Sequence, residues 1–385
     1  MAHLLLAIIY VSFISLGLPD ALLGSAWPSM YPAMNAPVSG AGAIFMIIAA
    51  GTVVSALMSD RLLARLGTGK LTACSVALTA FAIFGFSVSN SFAELCLWAI
   101  PYGLGAGAVD ASLNNYVALH YASRHMSWLH CMWGIGATTG PYIMGWVLTG
   151  GHSWTNGYRI IMFIQLILAA VLFISLPLWK EKRTGESQTK ARSLSLKEVV
   201  SIPGVKQIML CFFCYCALEQ TSGLWASSYL VLHKGVDSDT AASFGSIFFL
   251  GITVGRAFNG FLANKFNDAQ LIRLGQAVIA IGIAAMMLPL GETVSLLGFI
   301  LVGLGCAPIY PCIIHSTPLN FGADRSQSIV GVEMASAYVG NIVMPPLFGV
   351  VAEYVSIALL PFYILAILVL MYVMHREMLE KCKTK

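Results

Sequence analysis

Apolar runs long enough to cross a bilayer recur from one end of this chain to the other, beginning with LLLAIIYVSFISL at Leu4. A helix of ~20 apolar residues spans the ~30 Å hydrocarbon core of a membrane. Only 10% of the 385 residues are charged, whereas soluble domains carry about 25%. The sequence therefore predicts an all-α integral membrane protein. The first run lacks a basic n-region, so no cleavable signal peptide is expected.

The runs and the breaks between them predict twelve transmembrane helices. The predicted spans are 3–26, 38–58, 70–90, 92–120, 127–150, 156–179, 207–231, 241–262, 271–290, 293–315, 326–350 and 356–375. With both termini cytoplasmic, all of the 21 Lys and Arg except Arg159 and Lys234 lie on the cytoplasmic side, as the positive-inside rule requires. We therefore expect a multi-pass protein of the cell (inner) membrane. The net charge of +4 follows from this topology and does not indicate a nucleic-acid partner.

Internal similarity divides the chain into two six-helix pseudo-repeats. GLGAGAVDASLNN at Gly103 and GLGCAPIYPCIIHS at Gly303 share Gly-Leu-Gly, and GATTGPYIMG and GNIVMPPLFG share Gly, Pro and Gly at a similar offset. Matches in one order indicate a repeat. We predict an N-terminal bundle at 1–180, a basic cytoplasmic linker at 181–206 and a C-terminal bundle at 207–385. The linker is read as a solvated loop, with SLSLKEVV as a candidate surface helix.

Carboxyl groups at membrane depth are the strongest functional signal. They are Asp20, Asp110, Glu219 and Glu333. Each ionised acid costs ~2.5 kcal/mol or more at the bilayer centre, and hardly any Lys or Arg lies at the same depth. Such a group must be neutral, bind a cation or face water, so Asp20, Asp110 and Glu219 are candidates for H⁺ or Na⁺ coupling. The structural alternatives are that Asp20 supports broken backbone at Pro19 and that Glu333 bonds one helix to another.

A second set of polar and aromatic residues lies in the same spans and is a candidate for binding a solute. The set is Asn114, Asn115, His130, Trp133, Glu219, Gln220, Trp225, Tyr310, Tyr338 and Asn341. Asp110 and Asn114 are one helical turn apart and share a face, as do His130 and Trp133. A tryptophan ring suits the C–H face of a sugar, and amides suit its hydroxyls. The alternatives are interhelical bonding or proton transfer for His130 and an interfacial belt for Trp225.

Other classes of protein find less support in the sequence. CFFCYC at Cys211 suggests a metal site, but small apolar packing residues are the favoured interpretation because no His or further Cys pair accompanies it. GLGAGA lies within an apolar span and follows no strand, so it is not a nucleotide loop. We expect neither an enzyme nor a bound cofactor other than the coupling ion. A receptor that binds a ligand without transporting it stays an alternative.

The segment SDRLLARLGTGK after the second span, together with the twelve spans and the repeat, resembles the major facilitator superfamily. That family's loop motif has the pattern Gly-x-x-x-Asp-Arg followed by Gly and basic residues; here Ala56 replaces the first glycine, and Gly67 and Lys70 keep the rest. The resemblance implies cytoplasmic gating by Asp60 and Arg61. An ordinary interfacial pair is the alternative. Arg256, near the cytoplasmic end of span eight, is a further gating candidate.

Within that superfamily, short polar clusters resemble the fucose/galactose/glucose symporter family. Asp20 in LPDALLGSAWP falls where the family keeps an aspartate in the first helix, and Asp110 and Asn114 in VDASLNNYV resemble its fourth-helix acid and amide. His130 in SWLHCMWGIG falls at a substrate-contacting position, while Trp133 departs from the asparagine of the fucose branch.

The seventh span adds Glu219, Trp225 and Tyr229, which resemble a recurring acid, tryptophan and tyrosine pattern. The resemblance implies cation-coupled import of a sugar or related polyhydroxylated solute by alternating access, in a monomer within the bilayer. H⁺ is the expected ion because no hydroxyl- and carbonyl-rich Na⁺ cage is evident. GATTGPYIMG is partly like a proton-antiporter motif, so the alternative is a proton-coupled exporter of drugs or amphiphilic metabolites.

Overall fold

The computed structural model describes residues 2–120, 123–179, 196–262 and 265–383, and these residues form α-helices with no strand. The helices are α1 Ala2–Asp20, α2 Leu22–Ala33, α3 Gly40–Val88, α4 Phe92–His120, α5 Ser123–Thr149, α6 Trp154–Ser175, α7 Leu196–Ser201, α8 Val205–Lys234, α9 Ser238–Leu262, α10 Asp268–Met287, α11 Glu292–Cys306, α12 Ile309–Phe321, α13 Ala323–Val351 and α14 Leu360–Lys383.

The twelve predicted spans correspond to these helices, with three differences in where helices begin and end. The first span is two helices, α1 and α2, interrupted at Ala21. Spans two and three run together as α3, whose only non-helical residue is Gly67 with φ 74°, a left-handed conformation that glycine adopts without steric cost. The tenth span is α11 and α12, which meet at Ala307 and Pro308.

Length and hydropathy independently select the membrane-crossing segments. Among the described residues nine segments qualify. One of them, Ser328–Cys382, has 55 residues and would extend about 80 Å as a helix, enough for two crossings. The shorter apolar helix Gly40–Ala56 is the eleventh crossing. The twelfth is α5, which hydropathy does not select but whose 27 residues are long enough to span a bilayer, and the predicted fold class is confirmed.

The chain divides into two compact units by the density of its internal contacts. Unit 1 comprises Met1–Lys182, Gly223–Leu250 and Gly349–Ala358, and unit 2 comprises Arg183–Ser222, Gly251–Phe348 and Leu359–Lys385. The predicted linker at 181–206 falls mostly on residues 180–195, which lie outside the described part, and α7 occupies part of the remainder. The division into bundles at 1–180 and 207–385 stays a prediction.

Close backbone contact between α1 and α5 organises the part of unit 1 around Asp20. A Cβ on Gly17 would meet the carbonyl oxygen of Trp133, and one on Gly136 would meet the carbonyl oxygen of Ile14. Gly140 is pressed in the same way against the carbonyl of Leu18. Small residues allow helices to approach this closely, and the approach brings α5 side chains within reach of the end of α1.

The apolar core of unit 1 lies beside this contact and fixes four helices against each other. Phe13 of α1, Leu113 of α4, Leu129 of α5 and Leu172 of α6 are almost completely buried in one cluster. Burying such side chains stabilises a soluble protein through the hydrophobic effect, whereas within a bilayer close packing takes over that role. Either way the cluster holds α1, α4, α5 and α6 as one rigid frame.

Candidate functional site

The break in the first membrane span is supported by a side chain from the sixth. Pro19 has no amide hydrogen, so it leaves the carbonyl of Ser15, four residues earlier, without its helical partner. The side-chain Nε2 of Gln165 on α6 donates to that carbonyl oxygen. Gln165 is 1% exposed, and a carbonyl acceptor fixes which end of its amide is nitrogen. The chain therefore ends α1 at Asp20 without leaving Ser15 unpaired.

The Asp20 carboxylate accepts hydrogen bonds from two other helices of unit 1. The hydroxyl of Tyr102 on α4 donates to Oδ1 at 2.9 Å, and the indole Nε1 of Trp133 on α5 donates to Oδ2 at 2.8 Å. Asp20 remains exposed, while Tyr102 is buried. Because both donors lie on packed helices, the carboxylate is directed towards protein through both of its oxygens.

Asp110 and Asn114 form the second polar pair of unit 1. The Nδ2 of Asn114 donates to Oδ1 of Asp110 at 2.9 Å and to the Asp110 carbonyl oxygen at 3.0 Å. Both side chains are half-buried. The two side chains, which were predicted to share a helix face, therefore form a direct hydrogen bond. The Asn114 amide oxygen stays available as an acceptor. The side chain of Asn115, predicted to join them, lies outside the described part of the structure.

His130 and Trp133 lie on the same side of α5, as their spacing predicts, and each has an aromatic neighbour. The His130 ring meets Phe13 of α1 edge to face, with centroids 5.8 Å apart. Trp133 meets Phe249, a residue of α9 within unit 1, at 6.3 Å in a similar geometry. Both α5 side chains are half-buried. With its N–H committed to Asp20, Trp133 can offer a ligand its ring surface.

Glu219 lies in unit 2 and has a cation near it that the sequence did not predict. Oε1 of Glu219 on α8 lies 3.9 Å from Nη2 of Arg256 on α9. Arg256 was expected to act at the cytoplasmic end of its span, and not all of the acids were expected to have a positive partner; Glu219 has one. The two residues are 37 positions apart on adjacent helices, so no short-range pattern reveals the pair. Gln220 is half-buried beside Glu219.

The remaining solute-binding candidates are scattered. In unit 2, the hydroxyl of Tyr310 approaches the Met334 sulfur at 3.4 Å, Tyr338 is half-buried, and Asn341 has a buried Oδ1 with no hydrogen-bond partner among the described residues. Trp225 belongs to unit 1, is completely buried and packs against Gly349. In this conformation Trp225 therefore has no exposed surface to present to a solute or to the membrane interface.

The gating residues predicted from the loop motif cannot be assigned partners. The side chains of Asp60 and Arg61 lie outside the described part of the structure, although their backbone is helical within α3. Their gating role stays a prediction.

Three residues that contribute to the geometry around Asp20 were not singled out from the sequence. They are Tyr102, Gln165 and Phe249. A glutamine within the apolar run MFIQLILAA is a signal for interhelical hydrogen bonding, and it could have drawn attention to Gln165. Tyr102 and Phe249 carry no such signal because tyrosine and phenylalanine are ordinary membrane-helix residues.

Comparison with known families gives one clear match. The model of the Major Facilitator Superfamily matches residues 9–332 and, in a second match, 208–376. Among solved structures, the chain is similar to the nucleoside transporter NupG (D323A mutant), with a TM-score of 0.78 and 14% identity over 97% of this chain and 98% of that one. At this identity the likeness concerns the fold.

Curated relatives are distant but similar over most of their length. "Bypass of stop codon protein 6" of Saccharomyces cerevisiae is 23% identical over 390 residues, covering 91% of this chain and 77% of the yeast protein. The glucose/mannose transporter GlcP of Bacillus subtilis is 19% identical over 348 residues, covering 88% of this chain and 86% of that transporter.

Proposed function

The chain belongs to the Major Facilitator Superfamily, and from that membership we propose that it imports a sugar or related polyhydroxylated solute, coupled to a cation, by alternating access. H⁺ is the proposed ion. The superfamily accounts for a membrane transporter; the direction, the ion and the solute class are the proposal. A relative named as a glucose/mannose transporter supports the solute class.

One observation carries the proposal: an exposed carboxylate at the end of α1 accepts hydrogen bonds from α4 and α5. A group that bonds three helices can transmit its protonation state to all of them. A proton bound at Oδ2 of Asp20 would compete with the indole hydrogen of Trp133 for the same oxygen. Protonation would then free that N–H for a solute hydroxyl, which makes cation and solute binding mutually favourable.

The side chains near Asp20 suit a polyhydroxylated solute. Asn114 offers an amide oxygen, and Trp133 offers an aromatic surface for the C–H face of a sugar. His130 lies on the same side of α5 as Trp133. Hydroxyl-rich solutes are bound by amide and aromatic groups of this kind. Asp110 lies one turn from Asn114 and is the second candidate for the coupling proton.

The test is uptake into proteoliposomes containing the purified chain. We expect labelled glucose or mannose to accumulate when the outside is acidic, and to exchange with unlabelled sugar in counterflow without any gradient. Accumulation that requires Na⁺ at fixed pH and voltage would overturn the choice of ion. Saturable binding without counterflow would identify a receptor, and amphiphile export driven by a proton gradient without sugar counterflow would identify the exporter.

A further inference from the structure

The buried acid Glu333 lies outside the Asp20 site, in unit 2, on α13. It is 0% exposed, and so is Thr317 on α12, whose hydroxyl is its hydrogen-bond partner. The Thr317 Oγ1 lies 3.0 Å from Oε1 and 3.1 Å from Oε2 of Glu333. Among the described residues Glu333 has no ion pair. An ionised carboxyl here would be a buried charge supported by one hydroxyl, which is strongly unfavourable.

The number of hydrogens available for hydrogen bonding also indicates that Glu333 is protonated. The Thr317 Oγ1 is also 3.0 Å from the carbonyl oxygen of Ile313. A threonine hydroxyl has a single hydrogen, so an ionised Glu333 would leave one hydrogen to serve the carboxylate and the Ile313 carbonyl together. A protonated Glu333 supplies the second hydrogen. It then donates to Thr317 Oγ1, and Thr317 donates onward to Ile313.

The third neighbour is also compatible with a neutral acid. The thiol of Cys211, on α8 of the same unit, lies close to Glu333 and is itself 0% exposed. A thiol brings no positive charge to the carboxyl. The surroundings from α8, α12 and α13 thus consist of a thiol, a hydroxyl and a backbone carbonyl.

We propose that Glu333 is a resident proton-binding site, a neutral carboxylic acid that donates to Thr317 and so joins α13 to α12. It is separate from the coupling proton assigned to Asp20 and Asp110. Because the side chain has no exposed surface, its proton does not exchange with solvent in this conformation. The inference does not depend on the proposed function, since the proton is bound whether or not the chain transports a sugar.

Infrared spectroscopy of the purified protein in lipid at neutral pH tests the proposal directly. The carbonyl stretch of a protonated carboxylic acid lies apart from that of a carboxylate. We expect the wild-type minus E333Q difference spectrum to contain a protonated-acid band. T317V should shift that band to higher frequency because the acid loses its acceptor. The control E353Q removes the exposed carboxyl group of Glu353, whose Oε2 accepts from the Ser39 amide, and it should leave the protonated-acid region unchanged.

Absence of a protonated-acid band from the wild-type minus E333Q spectrum would overturn the proposal. A band whose frequency T317V does not change would overturn it too. Uptake supplies a second test of residency. A glutamine keeps a donor for Thr317 and cannot release a proton, so E333Q should retain gradient-driven uptake that D20N loses. Loss of uptake in E333Q with the band present in wild type would show that the proton is transported, which contradicts a resident site.

Discussion

The indole Nε1 of Trp133 donates a 2.8 Å hydrogen bond to Oδ2 of Asp20. This bond joins α5 to the break in the first membrane span, and it depends on backbone contacts that only glycine permits.

Replacing Asp20 or Asp110 by asparagine should abolish gradient-driven uptake while leaving the protein folded. An asparagine cannot bind and release a proton, and at position 20 its NH₂ group would face one of the two donors, Tyr102 or Trp133, whichever way the amide turns. Uptake by proteoliposomes with an acidic exterior measures the effect. D237N is the matched control, because Asp237 is exposed. Wild-type accumulation in both site variants would refute the coupling assignment.

Trp133→Phe should raise the KM for the solute by up to about tenfold, with little change in folding. The variant keeps an aromatic ring but loses the N–H that would donate to a solute hydroxyl once Asp20 is protonated, and such a hydrogen bond contributes ~0.5–1.5 kcal/mol. Initial rates of sugar uptake across a range of concentrations measure KM. Trp146 is 67% exposed, so W146F is the control. An equal change of KM in both variants would contradict a role of the Trp133 N–H in solute binding.

Gln165→Leu should lower the free energy of unfolding by about 1–3 kcal/mol, because the Ser15 carbonyl loses its partner in a buried place. Pro19→Ala supplies a new amide hydrogen to that carbonyl, so the double variant P19A/Q165L should recover much of the loss. Thermal unfolding in detergent provides the comparison.

A control for that pair exists in unit 2. Both polar side-chain atoms of Gln276 are buried without a hydrogen-bond partner among the described residues, so Q276L should be neutral or stabilising. An increase in the free energy of unfolding from P19A that is no larger in Q165L than in the wild type would contradict the role of Gln165 as hydrogen-bond donor to the Ser15 carbonyl.

Gly136→Ala should destabilise unit 1 and reduce uptake. The new Cβ would press on the Ile14 carbonyl, and overpacking of this kind costs about 1–3 kcal/mol. The added distance between α1 and α5 would also stretch the Trp133–Asp20 bond. Gly331 has nothing within 4 Å of an added Cβ, so G331A should be neutral or stabilising. Similar melting temperatures and uptake rates for the two variants would contradict this account.

The sequence predicted the helices well because hydrocarbon leaves few alternatives to a helix. Apolar length locates each crossing, and Pro19 indicated that the backbone near Asp20 is broken. A loop was expected between spans two and three, but the backbone there is helical except at Gly67. A short polar segment such as SDRLLARLG has helix-forming residues, so hydropathy alone marks a loop where the backbone stays helical.

The site was less predictable because its bonds join residues far apart in the chain. Spacing within one helix correctly paired Asp110 with Asn114. The partners of Asp20 are 82 and 113 positions away, and the Glu219–Arg256 pair also links separate helices. Periodicity carries no information about which helix packs on which, so these contacts required the fold.

The interruption at Ala21 divides the first crossing into two short rods with different attachments. The first rod, α1, is fastened to α5 at Gly17, whereas the second rod, α2, is tied through Trp27 Nε1 to the carbonyl of Val38 at 2.8 Å. A joint between rigid pieces acts as a hinge, and Asp20 lies next to this joint. Atoms beside a hinge travel least, so the Asp20 carboxylate can keep its hydrogen bonds to Tyr102 and Trp133 while α2 changes its angle.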